Sequence, residues 1–422
     1  MTAGRIGTGR IYYGWIMVAI CMFALMLTTG STMNAFGLYV LPVSEAFGLS
    51  RASMNTGLIL MNAGSAISAL IIGRLIDRYP ARLIMGGSGY ALGASLVALG
   101  LSHNLWLSAT ILAIPVGLGM TGIGNLTSPT LVARWFTVHR GRALAITMMG
   151  MSVATIVVAP PVAWLIDQLG WRHSLITLGI VVAVLITLLL PLVRNGPGPD
   201  DHEIADGDAA REAAAAAIAE EDVRLSPRQL LAFPRFWAIG LSTALAMAIF
   251  QAMLISLVPI GREIGFSTTK AASLISVIGI AGISGKLMVA WLADRFDRAL
   301  LLTALYAMLA LAGAVMLFAD SYPLLVAACL LIGLAAGATM PLYLALLADQ
   351  FGAKSFGTGN GMITFSIAVI SAVAVRYSGE VYDRTGGYDL MFYTFIAIGI
   401  ASALLMATLR RGAGTPELAP AE

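Results

Sequence analysis

A short polar block appears twice in this chain, each time between long apolar segments, and the two copies lie 217 residues apart. The first runs Gly73-Arg74-Leu75-Ile76-Asp77-Arg78-Tyr79-Pro80-Ala81-Arg82; the second runs Ala290-Trp291-Leu292-Ala293-Asp294-Arg295-Phe296-Asp297-Arg298. Asp77-Arg78 maps onto Asp294-Arg295, and Gly170-Trp171 maps onto Gly387-Tyr388 with the same offset. The offset is close to half of the 422 residues, so one unit has been duplicated. An internal repeat of this size decides architecture before local propensity does.

The nature of the repeated unit follows from its apolar content. The chain is 59% hydrophobic and 11% charged, against about 25% charged in a soluble domain. Water cannot solvate such a surface, so the solvent is a bilayer. A spanning helix takes about 20 mostly apolar residues. Twelve such segments, spans 1 to 12, are predicted near residues 12–36, 52–75, 82–101, 106–132, 141–166, 173–194, 234–258, 269–293, 299–318, 323–348, 358–378 and 388–410. Continuous apolar runs without strict alternation mean helices, not a barrel. The expected fold is an all-α membrane protein: twelve transmembrane helices in two pseudo-symmetric six-helix bundles, 1–194 and 232–422, joined by a linker over 195–231. Duplicated membrane halves are the build of secondary transporters.

Charge sets the expected orientation. With twelve spans both termini share a side, and that side carries 18 of the 25 Lys and Arg residues, against 6 on the other and one within the membrane. The positive-inside rule makes it cytoplasmic, and the expected location is the inner membrane. No basic run points to nucleic acid. The first apolar segment is long and lacks a small-residue cleavage site, so it reads as a retained span. Cys21 and Cys329 fall within spans and read as apolar packing residues; His103, His139, His173 and His202 have no ligand spacing. Neither a metal site, a cofactor site nor an enzyme's nucleophile–base pair is expected. The linker opens on Asn195-Gly196-Pro197-Gly198-Pro199, continues through an Ala/Glu-rich run from Asp208 to Asp222 that reads as a short surface helix, and closes on Leu225-Ser226-Pro227-Arg228-Gln229-Leu230-Leu231, placed along the membrane surface.

One ionised side chain lies deep in a span. Lys286 of span 8 precedes Asp294 by eight residues, about 12 Å of helix at 1.5 Å per residue. An ammonium near the bilayer centre costs at least about 2.5–3.5 kcal/mol. It persists where it faces a watery cavity and meets an anion; the other reading is a snorkelling or paired structural charge. Gly279 and Gly282 leave bare helix beside it, for a ligand or for a close neighbouring helix. Other polar residues recur at helical spacing: Thr121, Asn125 and Ser128 in span 4, Asn62 and Ser65 in span 2, and Thr28, Ser31, Thr32 and Asn34 in span 1. Gln251 lies in span 7, Thr339 and Tyr343 in span 10, and Thr364 and Ser371 in span 11. Each can bond a neighbouring helix or a solute.

Together the span count, the repeat and the two Asp-Arg blocks resemble the major facilitator superfamily of transporters, whose loop motif lies between spans 2 and 3 with a weaker copy between spans 8 and 9. A narrower resemblance, to the monocarboxylate transporter group with its bacterial oxalate/formate-type members, is carried by three stretches. These are Tyr13-Gly14-Trp15 with Gly37-Leu38-Tyr39-Val40; Arg134-Trp135-Phe136 with Arg140-Gly141-Arg142-Ala143; and Tyr382-Asp383-Arg384-Thr385-Gly386-Gly387-Tyr388. All three are scaffold motifs. The resemblance implies that Asp77, Arg78, Asp294 and Arg295 gate the cytoplasmic side, with Asp77 at a helix N-terminus, where an acid is favoured. It implies a substrate-binding role for Lys286, at a place where such transporters usually carry arginine. It also favours Asn125 and Tyr343, since spans 4 and 10 line the central path, with Thr121, Asn34, Asn62, Gln251 and Thr364 beside them. Lysine lacks arginine's planar bidentate grip, and a second basic residue of oxalate-type members falls around Ser366-Ile367 here. One carboxylate, or a weakly charged substrate, therefore fits better than a dicarboxylate.

The reading that results is a monomeric secondary transporter moving a small organic anion, foremost a monocarboxylate, across the bilayer by alternating access, either by proton symport or by anion exchange. The alternatives are a carrier of a larger amphipathic compound, such as a siderophore, drug or aromatic acid, and a membrane receptor that binds without flux.

Overall fold

The computed structural model describes residues 12–48, 51–198, 225–266 and 268–411. Most of the linker, including the predicted helix over 208–222, and the tail after 411 lie outside the described residues. Among those described there is no strand. Eleven helices are long and apolar enough to cross a membrane: Tyr13–Val40, Thr56–Arg78, Ala81–Leu101, Leu105–Trp135, Pro160–Leu192, Pro234–Leu257, Ser273–Leu292, Arg298–Leu317, Tyr322–Phe351, Ala353–Thr385 and Asp389–Leu409.

The twelfth crossing emerges from the region of spans 5 and 6. The helix Arg140–Val157 runs on through Val158, whose N–H donates to Ala154 O and whose carbonyl accepts from Val162 N. The following helix, Ala159–Leu189, is broken by Gly170 at φ 74°, ψ 162°. Glycine reaches that left-handed φ at little cost. The crossing that begins at Arg140 therefore ends at Gly170, and the next begins at Trp171. The two expected spans meet at this single residue, without the gap over 167–172 that hydropathy suggests. Span 1 is also longer than expected. It continues past residue 36 to Phe47 and stops at the left-handed Gly48 (φ 63°).

Residues cluster in two compact units. One contains the described residues up to 198 together with Phe351–Met362, and the other contains Leu225–Gln350 together with the chain from Ile363 onward. In the first, span 3 lies along span 6 through a small-residue contact: a Cβ on Gly93 would approach Gly179 O to 2.8 Å. In the second, span 9 lies along span 12. The repeat thus reproduces the same helix pairing within each unit. The second unit's core gathers Met253, Leu257, Met316, Cys329, Ile332, Phe392 and Phe395; Cys21 and Cys329 are buried free thiols. The chain re-enters the second unit through a short helix, Pro227–Ala232, held by a reciprocal cap: Gln229 N donates to Ser226 Oγ (3.3 Å) and Ser226 N donates to Gln229 Oε1 (2.8 Å).

Spans 1 and 4 are not uniform α-helices. π-Helical segments interrupt them at Gly30–Asn34, at Leu112–Val116 and at Met120–Asn125. Spans 7 and 10, their counterparts in the repeat, are α-helical over Pro234–Glu263 and Tyr322–Phe351. Such π segments often mark functional positions within a helix.

Candidate transport site

Within the first unit, the Asp77 block forms a buried polar junction. The Asp77 side chain is fully buried and its carboxylate lies 3.7 Å from Arg134 Nη2. It accepts hydrogen bonds from the backbone N–H groups of Gly357 (3.1 Å) and Thr358 (2.7 Å) and from Thr358 Oγ1 (2.7 Å). These residues lie near the start of the helix Ala353–Thr385, where backbone N–H groups favour an anion. Close approach requires Gly73: a Cβ there would meet Gly357 O at 2.4 Å. Arg134 Nη2 also donates to Ile76 O (2.6 Å), which ties the end of span 4 to the end of span 2. Arg78 is exposed at the last helical position of span 2.

The second copy is built otherwise. Asp294 pairs with Arg298 one turn on, at 3.3 Å, and Arg298 also binds the Asp349 carboxylate at the end of span 10. Arg295 stacks over Trp291 at 4.6 Å.

The first two of the three scaffold motifs meet through their aromatic rings. The Tyr12, Tyr13 and Trp15 rings pack on Trp135 and Phe136 at 4.9–5.9 Å. Arg194 covers Tyr13 at 4.0 Å and Arg142 approaches Trp15 at 5.6 Å. The third motif is a turn with Gly386 at φ 70° and the Tyr382 and Tyr388 rings 4.8 Å apart.

The candidate substrate contacts of the first unit differ in how their polar groups are used. Thr121 is buried and bonded, donating to Ser65 O (3.0 Å) and lying 2.9 Å from Ser65 Oγ, so it joins spans 2 and 4. Asn62 donates from Nδ2 to Leu58 O (2.9 Å), one turn earlier in its own helix. Asn125 ends a π segment and is half-buried, and its side chain has no hydrogen-bond partner among the described residues. Two residues on, the buried Thr127 hydroxyl is likewise without a partner there. Sequence reasoning passed over Thr127, whose type and spacing do not separate it from bonded threonines. Buried polar atoms are nearly always bonded, so this part of span 4 stands out. Asn34 ends the π segment of span 1, half-buried.

In the second unit, Lys286 is half-buried in span 8. The glycines around it serve two purposes. Gly285 of span 8 and Gly337 of span 10 let the two helices press together: a Cβ on Gly337 would meet Gly282 O at 2.1 Å, and one on Gly285 would meet Leu334 O at 2.4 Å. Gly279, two turns before Lys286, has open space where its Cβ would lie. Span 10 supplies Tyr343, which is buried and hydrogen-bonded to Thr364 of span 11. A second hydroxyl pair, Tyr306 of span 9 with Thr243 of span 7 at 2.8 Å, is fully buried beside them. It was absent from the sequence-based candidates; a tyrosine within an apolar run was its only signal. Gln251 is exposed on span 7. Arg376 is 84% exposed and pairs with Glu380 at 3.6 Å.

A sequence profile of the Major Facilitator Superfamily matches residues 18–375 and 290–421. The chain belongs to the Major Facilitator Superfamily. This superfamily member is a multi-pass membrane transporter. It is 23% identical to an uncharacterised MFS-type transporter of Bacillus subtilis, YcxA, over 92% of this chain and 93% of the relative. It is 26% identical to human monocarboxylate transporter 11 over 93% of this chain and 84% of the relative. Among solved structures it resembles the human organic anion transporter MFSD10 (17% identity, TM-score 0.69, covering 93% and 99% of the two chains). It also resembles the Escherichia coli fucose:proton symporter FucP (16%, TM-score 0.69, 94% and 99%). These structures share the fold with this superfamily member.

Proposed function

We propose that this transporter moves a small organic anion with one carboxylate, of the monocarboxylate class, across the inner membrane by alternating access, with both termini in the cytoplasm. The observation that carries the reading is Lys286: a cationic side chain half-buried within span 8, next to helix surface left open at Gly279. In hydrocarbon such a charge is costly, and a carboxylate arriving with the solute compensates it. In the same unit, Tyr343 with Thr364 supplies hydrogen bonds to the rest of the solute. The monocarboxylate transporters among the relatives support the substrate class. Charge balance leaves two coupling modes: a proton enters with the anion, or one anion leaves as another arrives.

Alternating access needs contacts that break and re-form. The Asp77 junction is suited to this because its bonds converge on one carboxylate. We assign to Asp77, with Arg134 and Thr358, the holding of one state of the cycle, and to Asp294 and Arg298 a supporting part.

The test is thermal unfolding of the purified protein with mono- and dicarboxylates, aromatic acids and neutral analogues, beside Lys286→Ala and Lys286→Arg. A ligand at a hundredfold its Kd stabilises by about 2.7 kcal/mol. A monocarboxylate is expected to raise Tm in the parent and in Lys286→Arg and to lose its effect in Lys286→Ala. An equal response in Lys286→Ala makes the lysine structural. A response confined to bulky or neutral ligands replaces the monocarboxylate by a larger amphipathic compound.

A further inference from the structure

The first unit holds a cavity of about 660 Å³ at the end of its bundle opposite Asp77. Spans 1, 2, 3, 4 and 6 wall it, through Phe36, Tyr39, Met61, Leu96, Trp106 and Trp171 among others. That volume would hold about twenty waters at roughly 30 Å³ each, yet the walls offer them little. Five hydroxyls of the lining are already bonded: Ser31 and Thr32 donate to Thr28 O, Ser108 to Asn104 O and Thr110 to Trp106 O, and Tyr39 Oη lies 2.8 Å from Ser174 Oγ. A site of this kind suits hydrocarbon and not a small polar solute.

The cavity also has an outward side and a charged rim. Trp106 and Ile114, both in its lining, are 83% and 63% exposed. Arg172 lies against two rings of the lining, 4.3 Å from the Trp171 centroid and 5.8 Å from that of Phe47. Its Nη1 donates to Ser102 O (2.6 Å) and Gly100 O (3.2 Å), which fixes the guanidinium. Among the described residues nothing hydrogen-bonds its Nε and Nη2. Two parallel N–H donors in a fixed plane match a phosphate's oxygens. Asp167, five residues before Arg172, and Glu45, two residues before Phe47, are exposed.

We propose that this cavity binds a membrane phospholipid: one acyl chain fills the apolar space and the phosphate diester sits on Nε and Nη2 of Arg172. A bilayer supplies this ligand at very high local concentration, so mass action favours occupancy. In the orientation proposed above, the lipid comes from the outer leaflet. Lys286 is not in its lining, and the inference does not depend on which solute is carried.

The test is tryptophan quenching in mixed micelles of the full chain, titrated with phosphatidylglycerol brominated in its acyl chains; Trp106 and Trp171 are the reporters. Saturable quenching is expected, reduced by more than half in amplitude in Ala109→Phe, which fills the cavity without touching Arg172. Arg172→Gln is expected to weaken apparent affinity for phosphatidylglycerol about tenfold, consistent with loss of a charge-assisted hydrogen bond. It should leave the weak binding of brominated diacylglycerol unchanged. Quenching that rises linearly with lipid and is equal in parent and Ala109→Phe overturns the proposal. So does saturable quenching by a brominated fatty acid that phosphatidylglycerol does not displace, an outcome that gives the cavity to an amphipathic acid.

Discussion

The two Asp-Arg blocks share a sequence pattern and differ in what they hold. Asp77 is fully buried and gathers an arginine, two backbone amides and a hydroxyl. Asp294, with its side chain 16% exposed, pairs with an arginine one turn along its own segment. One cause is visible in the repeat itself. Gly73 admits the backbone of Gly357, whereas the position 217 residues on is Ala290. A second is the end of span 4 against the end of span 10: the former offers Arg134 to Asp77, the latter offers Asp349 to Arg298. Duplicated sequence therefore keeps the turn while the charges that meet it have been reassigned.

The comparison can be broken at four points. Asp77→Ala has the largest expected effect. Removing one member of a buried pair costs about 3–5 kcal/mol, and solute uptake into proteoliposomes should fall at least about a hundredfold, with Tm lowered. A variant that transports normally would mean that the junction is only a topological charge. Gly73→Ala comes next, since its Cβ would approach Gly357 O to 2.4 Å. Overpacking of this kind costs about 1–3 kcal/mol, while Ala290→Gly should cost no more than about 1 kcal/mol of helix propensity. Urea or thermal unfolding of the pair decides whether close approach is specific to the first copy. Thr358→Val removes one hydrogen bond to Asp77 and keeps the amides. A loss of about 1–2 kcal/mol, with uptake reduced but measurable, would rank the hydroxyl below the carboxylate. The smallest change is expected for Asp349→Asn. This carboxylate is 34% exposed, and pairs partly open to water contribute about 1 kcal/mol or less. Its effect on Tm should shrink further in high salt; an effect as large as that of Asp77→Ala would erase the distinction between the copies.

Much of this architecture is readable from the amino acids because run length and repeat offset are one-dimensional properties. The spans, their number and the Asp-Arg turns follow from them. The break at Gly170 was blurred, since hydropathy averages over a window while one glycine turns the chain. Polar candidates were readable as faces but not as partners. Thr121 and Asn125 lie one turn apart, yet Thr121 finds Ser65 and Asn125 finds no partner among the described residues. The glycines before Lys286 show the same limit. Both options for bare helix occur, Gly282 against span 10 and Gly279 in open space, and only the neighbouring helix decides between them.

The π segments of spans 1 and 4 bear on how the two halves are aligned. A π turn closes its hydrogen bond over five residues where an α turn uses four, so it takes up an extra residue without lengthening a loop. Span 4 runs over 31 residues, Leu105–Trp135, and span 10 over 30, Tyr322–Phe351. The offset of 217 that joins their first residues has become 216 at their last. Within spans 4 and 10 equivalent faces are therefore matched turn by turn past the widened turns, while the constant of 217 holds again beyond them at Gly170 and Gly387.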